Sequence, residues 1–377
     1  MLAPVRLAVA LLAAAVTLAG AIPRVLLAAG LLPDVLRPFV FSDVLLVYLR
    51  GLSGHQLPYV DTPFEYPPLV ALASGIFSRA SENAATFVSL WGVLQAVLAA
   101  VTAWTLAGAA SARTTLWRFA LAPQLLLLGA ANFDLMAVAF MSLAIILARG
   151  RYDIRAGSVV ALGTLSKLFP IAAAPVLIAR AARPALVALV GSGIIAIGYA
   201  AAAVAGQSGA TAPLYYLFGI GANFDSAWGL MIRALDATFL IGSQEVIIPI
   251  TLIGLVVTYL VAVLPLARAP DPAIPFGLAV VTTLIWSRLY SPQYSLWLLP
   301  LFVLLPLSRR LFVLLIAGDI IVFTTVYPLT LVHRTPDDAS AAMLFALLAF
   351  GVILRTVALL ATWAALRRLA PRTRAEG

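Results

Sequence analysis

The chain reads as an all-α, polytopic membrane protein, and three observations predict it. Hydrophobic residues make up 63% of the sequence and charged residues only 10%, where soluble domains carry about 25% charge. Mean hydropathy is +1.07. The apolar residues also fall into runs of membrane-crossing length, with short basic clusters between them. No polar stretch is long enough to fold separately, so residues 1–377 are expected to form a single transmembrane domain.

A crossing helix needs roughly 17–25 mostly apolar residues, and shorter ones are tolerated when buried among neighbours. The first run covers residues 7–29. It resembles a secretory leader, with Arg6, an apolar core and Ala19-Gly20-Ala21, but many later spans make an uncleaved signal-anchor sufficient. Residues 30–83 then read as an external loop with interfacial helices, carrying Asp34, Asp43, Asp61 and Glu65. Within it Leu69 to Phe77 is too short to cross and is expected to lie along the interface. Further crossings are expected at 84–110, 116–131, 133–148, 156–167, 168–179 and 185–205. After a second external loop at 206–245 come 246–267, 273–288, 294–307, 311–327 and 341–366, about twelve crossings in all. The pair around Lys167 is short, and Pro170 and Pro175 also allow one broken helix there.

Orientation follows from the arginines. Arg6 precedes the first span, and alternate loops hold Arg113 and Arg118, then Arg149, Arg151 and Arg155, then Arg180 and Arg183. Arg268, Arg309 and Arg310 follow, and Arg367, Arg368, Arg372 and Arg374 close the chain. The positive-inside rule puts all of these, and both termini, on the cytoplasmic side of the plasma membrane. The opposite loops then receive Asp236, Glu245, Asp337, Asp338 and most other acids. The formal charge of +9 is therefore a topology signal; no nucleic-acid motif accompanies it. Cysteine is absent, which removes disulfides and thiolate metal sites, and two lone histidines, His55 and His333, make no metal site. No metal and no cofactor are expected.

The polar side chains outside the cytoplasmic loops concentrate in four places. The first external segment runs from Asp43 through Tyr48, Gly51 and Pro58-Tyr59 to Glu65-Tyr66-Pro67-Pro68. The others are Asn132-Phe133-Asp134, Ser166-Lys167 and Trp286 to Tyr294, the last including Arg288 and Gln293. The predicted topology gathers all four at the external face. A carboxylate there can deprotonate a hydroxyl nucleophile, while Lys and Arg can hold a phosphate or neutralise one as it leaves. Aromatic residues and Gln suit the faces and hydroxyls of a sugar. The set fits glycosyl transfer from a lipid phosphate.

The run from Asp43 to Pro68 resembles the first external loop of GT-C fold glycosyltransferases, closest to glycosyltransferase family 87 and its actinobacterial polyprenyl-phosphate-mannose-dependent mannosyltransferases. Gly163 to Pro170, and Ser291-Pro292-Gln293-Tyr294 with Trp297, are similar to segments of the first GPI mannosyltransferase. The resemblance implies an inverting membrane transferase with a GT-C-like bundle and its site on the non-cytoplasmic face. Its partners would be a polyprenyl-phosphate sugar donor, with mannose the expected sugar, and a lipid or glycan acceptor of the cell envelope. Asp43 maps to the general base; Lys167, Arg288, Gln293 and Tyr294 would bind the donor, and Tyr48, Tyr59, Glu65, Tyr66 and Asp134 the substrates. The first loop lacks an Asp-x-Asp pair, and Ser291 to Tyr294 replaces histidines found in some family 87 members.

Plainer roles stand beside these. Asp43 and Glu65 could cap helices, Asp134 could serve its own turn, and Gln293 and Tyr294 could anchor at the interface. Asp319 and Arg355, in late spans, could pair with each other or with neighbours. A transporter or flippase of lipid-linked sugars is the alternative function, although the second half shows no counterpart of the Lys167 region.

Overall fold

The computed structural model describes residues 2–206, 209, 211–234, 244–331 and 339–375, and its backbone there is almost wholly helical. The one β feature among the described residues is an isolated bridge between Pro58 and Thr62. Asp236, His333, Asp337, Asp338 and parts of the 206–245 loop lie outside them. Helices suit this composition because lipid offers no hydrogen bonds to the backbone, so each segment must satisfy its own.

Among the described residues six helices are long and apolar enough to cross a membrane: Ala3–Ala28, Ala84–Ala109, Pro184–Ala205, Glu245–Leu266, Arg309–Thr330 and Ser340–Ala370. They match six of the expected crossings. The chain is thus an all-α, multi-pass membrane protein. The first two pack closely through small residues: Ala13, Ala99 and Ala103 are fully buried, and a Cβ on Gly92 would stand 3.0 Å from Ala21.

The other six expected crossings appear as shorter or broken helices. Residues 116–131 split into a π-type turn, Leu116–Ala120, and the helix Pro123–Leu128. The break falls at Ala122, which Pro123 forces into an extended conformation. Asp134–Arg149 and Asp153–Ser166 are continuous but hold only 16 and 14 residues. Lys167 is extended and Leu168 returns to helical dihedrals, after which Phe169–Ala173 and Ala174–Arg180 run back. A Cβ on Gly163 would lie 3.1 Å from Pro170, while the Ala182 amide donates to Asp153 at 3.2 Å. Both ends of the pair around Lys167 are therefore closed, and it forms a hairpin. Ala273–Trp286 and the joined Pro292–Leu298 and Leu299–Leu304 complete the set.

These short helices give the bundle two distinct ends. At one, Arg149 makes a bidentate pair with Asp271 at 2.9 and 2.7 Å and reaches the Leu304 carbonyl at 2.9 Å. Arg118 donates to Phe302 and Leu307, Arg180 to Ala267 and Ala269, and Arg268 to Ala179, all at main-chain oxygens. The arginine clusters thus interlock as one rim that caps helix C-termini. Asp134 and Lys167 mark the other end.

Above that second end lies the segment after the first span. Pro67 and Pro68 open the helix Pro68–Ala80, whose Ser78 hydroxyl donates to the Leu52 and Gln56 carbonyls at 2.8 and 3.0 Å. Gly51 faces Thr62 so closely that a Cβ would lie 2.2 Å from its hydroxyl. Tyr59 holds a left-handed φ of 68°, which a bulky residue rarely adopts. Its amide bonds to the Thr62 carbonyl at 2.9 Å and its hydroxyl donates to the Tyr66 carbonyl, so the turn is held from both sides.

Candidate functional site

Asp43 opens the short helix Asp43–Val47, but Ser42 is the cap, accepting from the Leu45 amide at 3.1 Å. The Asp43 carboxylate is left for other work. Its amide donates to the Ala131 carbonyl at 2.8 Å, and the Asn132 side-chain amide donates to its Oδ2. Asn132 is in turn fixed by Gln95, whose Nε2 donates to its carbonyl at 2.9 Å. From the other side buried Arg24 donates to the Phe41 carbonyl at 2.9 Å and to the Gly20 and Leu127 carbonyls. The first span and the turn at Ala131 and Asn132 therefore hold the segment that presents Asp43. Burial pushes the Asp43 carboxyl up to about 7, with the nearby Lys167 ammonium pulling the other way.

Lys167 sits at the tip of the hairpin. Its Nζ is 3.2 Å from Asp134 Oδ2, and Trp297 Nε1 donates to Asp134 Oδ1 at 2.7 Å. The ammonium also lies 5.2 Å from the ring centroids of both Tyr66 and Tyr294. Trp297 stacks on Phe169 at 3.7 Å and on Tyr294 at 4.3 Å, which locks the tip against the Pro292–Leu298 turn. One of the three ammonium donors is spent on Asp134, so two remain for a ligand.

A cavity of about 790 Å³ joins these groups. Its polar lining includes Asp43, Glu65, Tyr66, Lys167, Arg288, Gln293 and Tyr294. Its apolar lining includes Ile171, Pro175, Leu252, Leu255, Val256 and Leu260. Glu65 caps nothing; it pairs with Arg50 at 3.5 Å, and burial raises its carboxyl despite Arg50 and Lys167. Burial also holds the Tyr66 phenol well above its ordinary range, so it stays neutral. Arg288 donates to the Ile220 carbonyl at 3.1 Å and to the Leu217 carbonyl, fixing the end of the helix Ala212–Gly219 over the cavity. Gln293 is buried, and its Oε1 has no partner among the described residues.

Three of the expected residues stand off the cavity wall. Tyr48 packs on Phe87 with ring centroids 5.1 Å apart, Tyr59 braces Tyr66, and Asp134 is wholly buried beneath Lys167. Asp134 does more than serve its turn, because its carboxylate is what holds the ammonium. Asp319 and Arg355 do not pair directly. Asp319 accepts from Ser295 at 2.6 Å and Gln124 at 3.0 Å, while Arg355 lies over the Tyr290 ring at 4.0 Å. His55 is exposed and also bonds the Ser78 carbonyl at 3.0 Å.

The sequence reading did not single out Arg24, Gln95 or Asp225, and it treated Asn132 only as part of a turn. Arg24 could have been found as a charge inside an apolar run; the other three carry no local signal. Among the described residues no three His, Asp or Glu side chains gather to hold a metal ion.

No curated protein matches the sequence. The family model for glycosyltransferase family 87 matches residues 64–292, more than half of the chain, beginning downstream of Asp43 and taking in Glu65, Tyr66, Asp134, Lys167 and Arg288. The chain belongs to glycosyltransferase family 87 and is a membrane glycosyltransferase.

Proposed function

We propose that this enzyme transfers one sugar, mannose, from a polyprenyl phosphate to a hydroxyl of a lipid or glycan acceptor, with inversion, on the non-cytoplasmic face of the plasma membrane. The observation that carries the proposal is a single cavity whose walls combine carboxylates, Asp43 among them, and two cations with a long run of apolar side chains. The apolar run suits an isoprenoid tail; Lys167 and Arg288 suit the phosphate. The choice of mannose rests on the likeness of Gly163 to Pro170 and Ser291 to Trp297 to mannosyltransferase segments.

In the transfer, an acceptor hydroxyl attacks the anomeric carbon from the side opposite the phosphate. The bond from that carbon to the phosphate oxygen breaks, and the oxygen keeps the electron pair. Asp43 takes the acceptor proton. A base that titrates near 7 suits this task, because it is ionised at working pH yet still attracts a proton. Lys167 and Arg288 offset the charge that builds on the leaving phosphate in a site with little water. Asp134 and Trp297 keep the ammonium in place, and Asn132 does the same for Asp43.

The arginine rim sets the proposed orientation, with both termini cytoplasmic and about twelve crossings arranged in the GT-C manner. The short helices count as crossings because they run from the rim to the cavity end. The 30–83 segment and the 206–245 loop then lie outside, over one transmembrane domain.

The test uses the purified full chain in nanodiscs with labelled polyprenyl-phosphate mannose and a membrane-lipid extract, the products being separated. A mannosylated product is expected, and its rate of formation should fall about 10²–10⁴-fold in Asp43→Asn. Wild-type turnover in that variant, or translocation of the labelled donor without any product, would overturn the proposal.

A further inference from the structure

The cavity holds two carboxylates that the transfer step leaves unused; Glu65 is paired with Arg50, and Asp225 is the other. Asp225 lines the wall near Arg288 and is only 5% exposed. Its turn is held from several sides. The Ser226 amide and hydroxyl donate to the Asn223 carbonyl at 2.9 and 2.6 Å, and the Asn223 amide donates to the Arg288 carbonyl at 2.9 Å. Arg355, 1% exposed in the last spanning helix, donates through Nη2 to the Asp225 main-chain carbonyl and to that of Tyr290 at 2.9 Å. A charge buried in a membrane span needs a purpose, and this one fixes the backbone that presents Asp225.

Among the described residues no side chain donates to the Asp225 carboxylate; its own main-chain amide does, which leaves further lone pairs for a ligand. Asp43, Asp225, Tyr294 and Tyr327 all line this one cavity. Tyr327 is stacked on Phe41 at 4.3 Å, close to Asp43. Gln293 adds an amide with an unpartnered oxygen, and Asn223 adds another, its Nδ2 lying 3.3 Å from the Ser291 hydroxyl. A buried polar atom left without a partner is costly, and a ligand hydroxyl would satisfy it. Carboxylate, amides and phenols around one volume are the chemistry that recognises a polyhydroxylated ring. A sugar joined to a phosphate at Arg288 would come within reach of this turn.

We propose that Asp225, supported by Asn223 and Gln293, reads the hydroxyls of the donor's sugar ring and is a specificity-determining residue of the cavity. The proposal rests on the lipid-phosphate donor reading above. Asp225 contributes to holding the sugar, while the cations hold the phosphate.

The test measures equilibrium binding to the full-length chain in nanodiscs, using polyprenyl phosphate alone, polyprenyl-phosphate mannose, and the mannose donor lacking one ring hydroxyl at a time. Asp225→Asn is expected to weaken binding of the mannose donor about tenfold to a hundredfold, the range for a hydrogen bond to a charged group, and to leave the bare lipid phosphate unchanged. One deoxy donor should lose the same factor on the wild-type chain and lose nothing further in the variant. That second measurement needs no folded variant for its first half. Equal weakening of both ligands with no sensitive deoxy position, or no weakening at all, would overturn the assignment of Asp225. So would a wild-type chain that binds the bare lipid phosphate as tightly as the sugar donor, while leaving the donor reading intact. Failure of the wild-type chain to bind either ligand would instead bring down the donor reading, and this inference with it.

Discussion

Asp43 is set apart from the other acids by what surrounds it: a capping serine that relieves it of helix duty, an amide that orients it, and burial that raises its proton affinity. With the carboxyl pushed up to about 7, kcat/KM should climb as pH rises through that value, since the ionised form is the base. A pH–rate profile that is flat between 5.5 and 8 would contradict this. The sign for stability is opposite: the folded chain holds that proton more tightly than the unfolded one, so this carboxyl's contribution falls as pH rises from about 4 through 7. Asp43→Asn should lower turnover about 10²–10⁴-fold, the usual share of a general base. Asp134→Ala removes one partner of a buried pair and should cost about 3–5 kcal/mol, read as earlier thermal unfolding. Asp134→Leu combined with Lys167→Met should recover much of that stability but not donor binding. Asp43, Lys167 and Arg288 were legible because ionisable groups stand out in so apolar a chain. Asn132 and Asp225 were not, because an amide in a turn and an acid in a loop look like ordinary solvated residues until the fold gives them neighbours.

At the level of elements, length and composition revealed the six long spans directly. The shorter helices were harder to delimit because a proline-split segment has the same apolar content as a continuous one; Ala122 and Lys167, extended in the structure, divide two of them. Close packing was equally invisible. Gly254 faces Trp286 so closely that a Cβ would lie 2.1 Å from its ring, and Trp286 in turn bonds Thr258 at 3.0 Å and stacks near Trp228 at 5.4 Å. Gly254→Val should therefore displace Trp286 from the cavity wall, cost about 1–3 kcal/mol, and change the intrinsic tryptophan fluorescence. Unaltered emission and an unchanged unfolding temperature would show that the ring has room to move. A short helix too brief to cross was expected near Leu69 to Phe77 and is found at Pro68–Ala80, but the left-handed Tyr59 that orients the chain before it was not foreseen.

For the whole molecule, the positions of the arginines foretold that their loops gather at one end, and the hydrogen bonds of Arg118, Arg149, Arg180 and Arg268 bear out that gathering. Because the chain contains no cysteine, single cysteines can report its sidedness without a background. Arg155→Cys and Arg310→Cys should react with an impermeant thiol reagent only from the cytoplasmic side. Leu31→Cys and Val60→Cys, at residues that are 70% and 52% exposed, should react only from outside. The same pattern reversed would invert the proposed site. The short helices have a further consequence, for the height at which donor and acceptor meet. At 1.5 Å per residue, Asp134–Arg149 and Asp153–Ser166 measure about 24 and 21 Å, against roughly 30 Å of hydrocarbon. In the proposed orientation, with the arginine rim anchored at one headgroup layer, Lys167 would lie roughly 6–9 Å beneath the other. A lipid-phosphate donor, as proposed, would then have to sink its phosphate below its neighbours, or the bilayer thin around the protein, which would make bilayer thickness a control on turnover. Proteoliposomes made from shorter acyl chains should accordingly work faster than those made from longer ones.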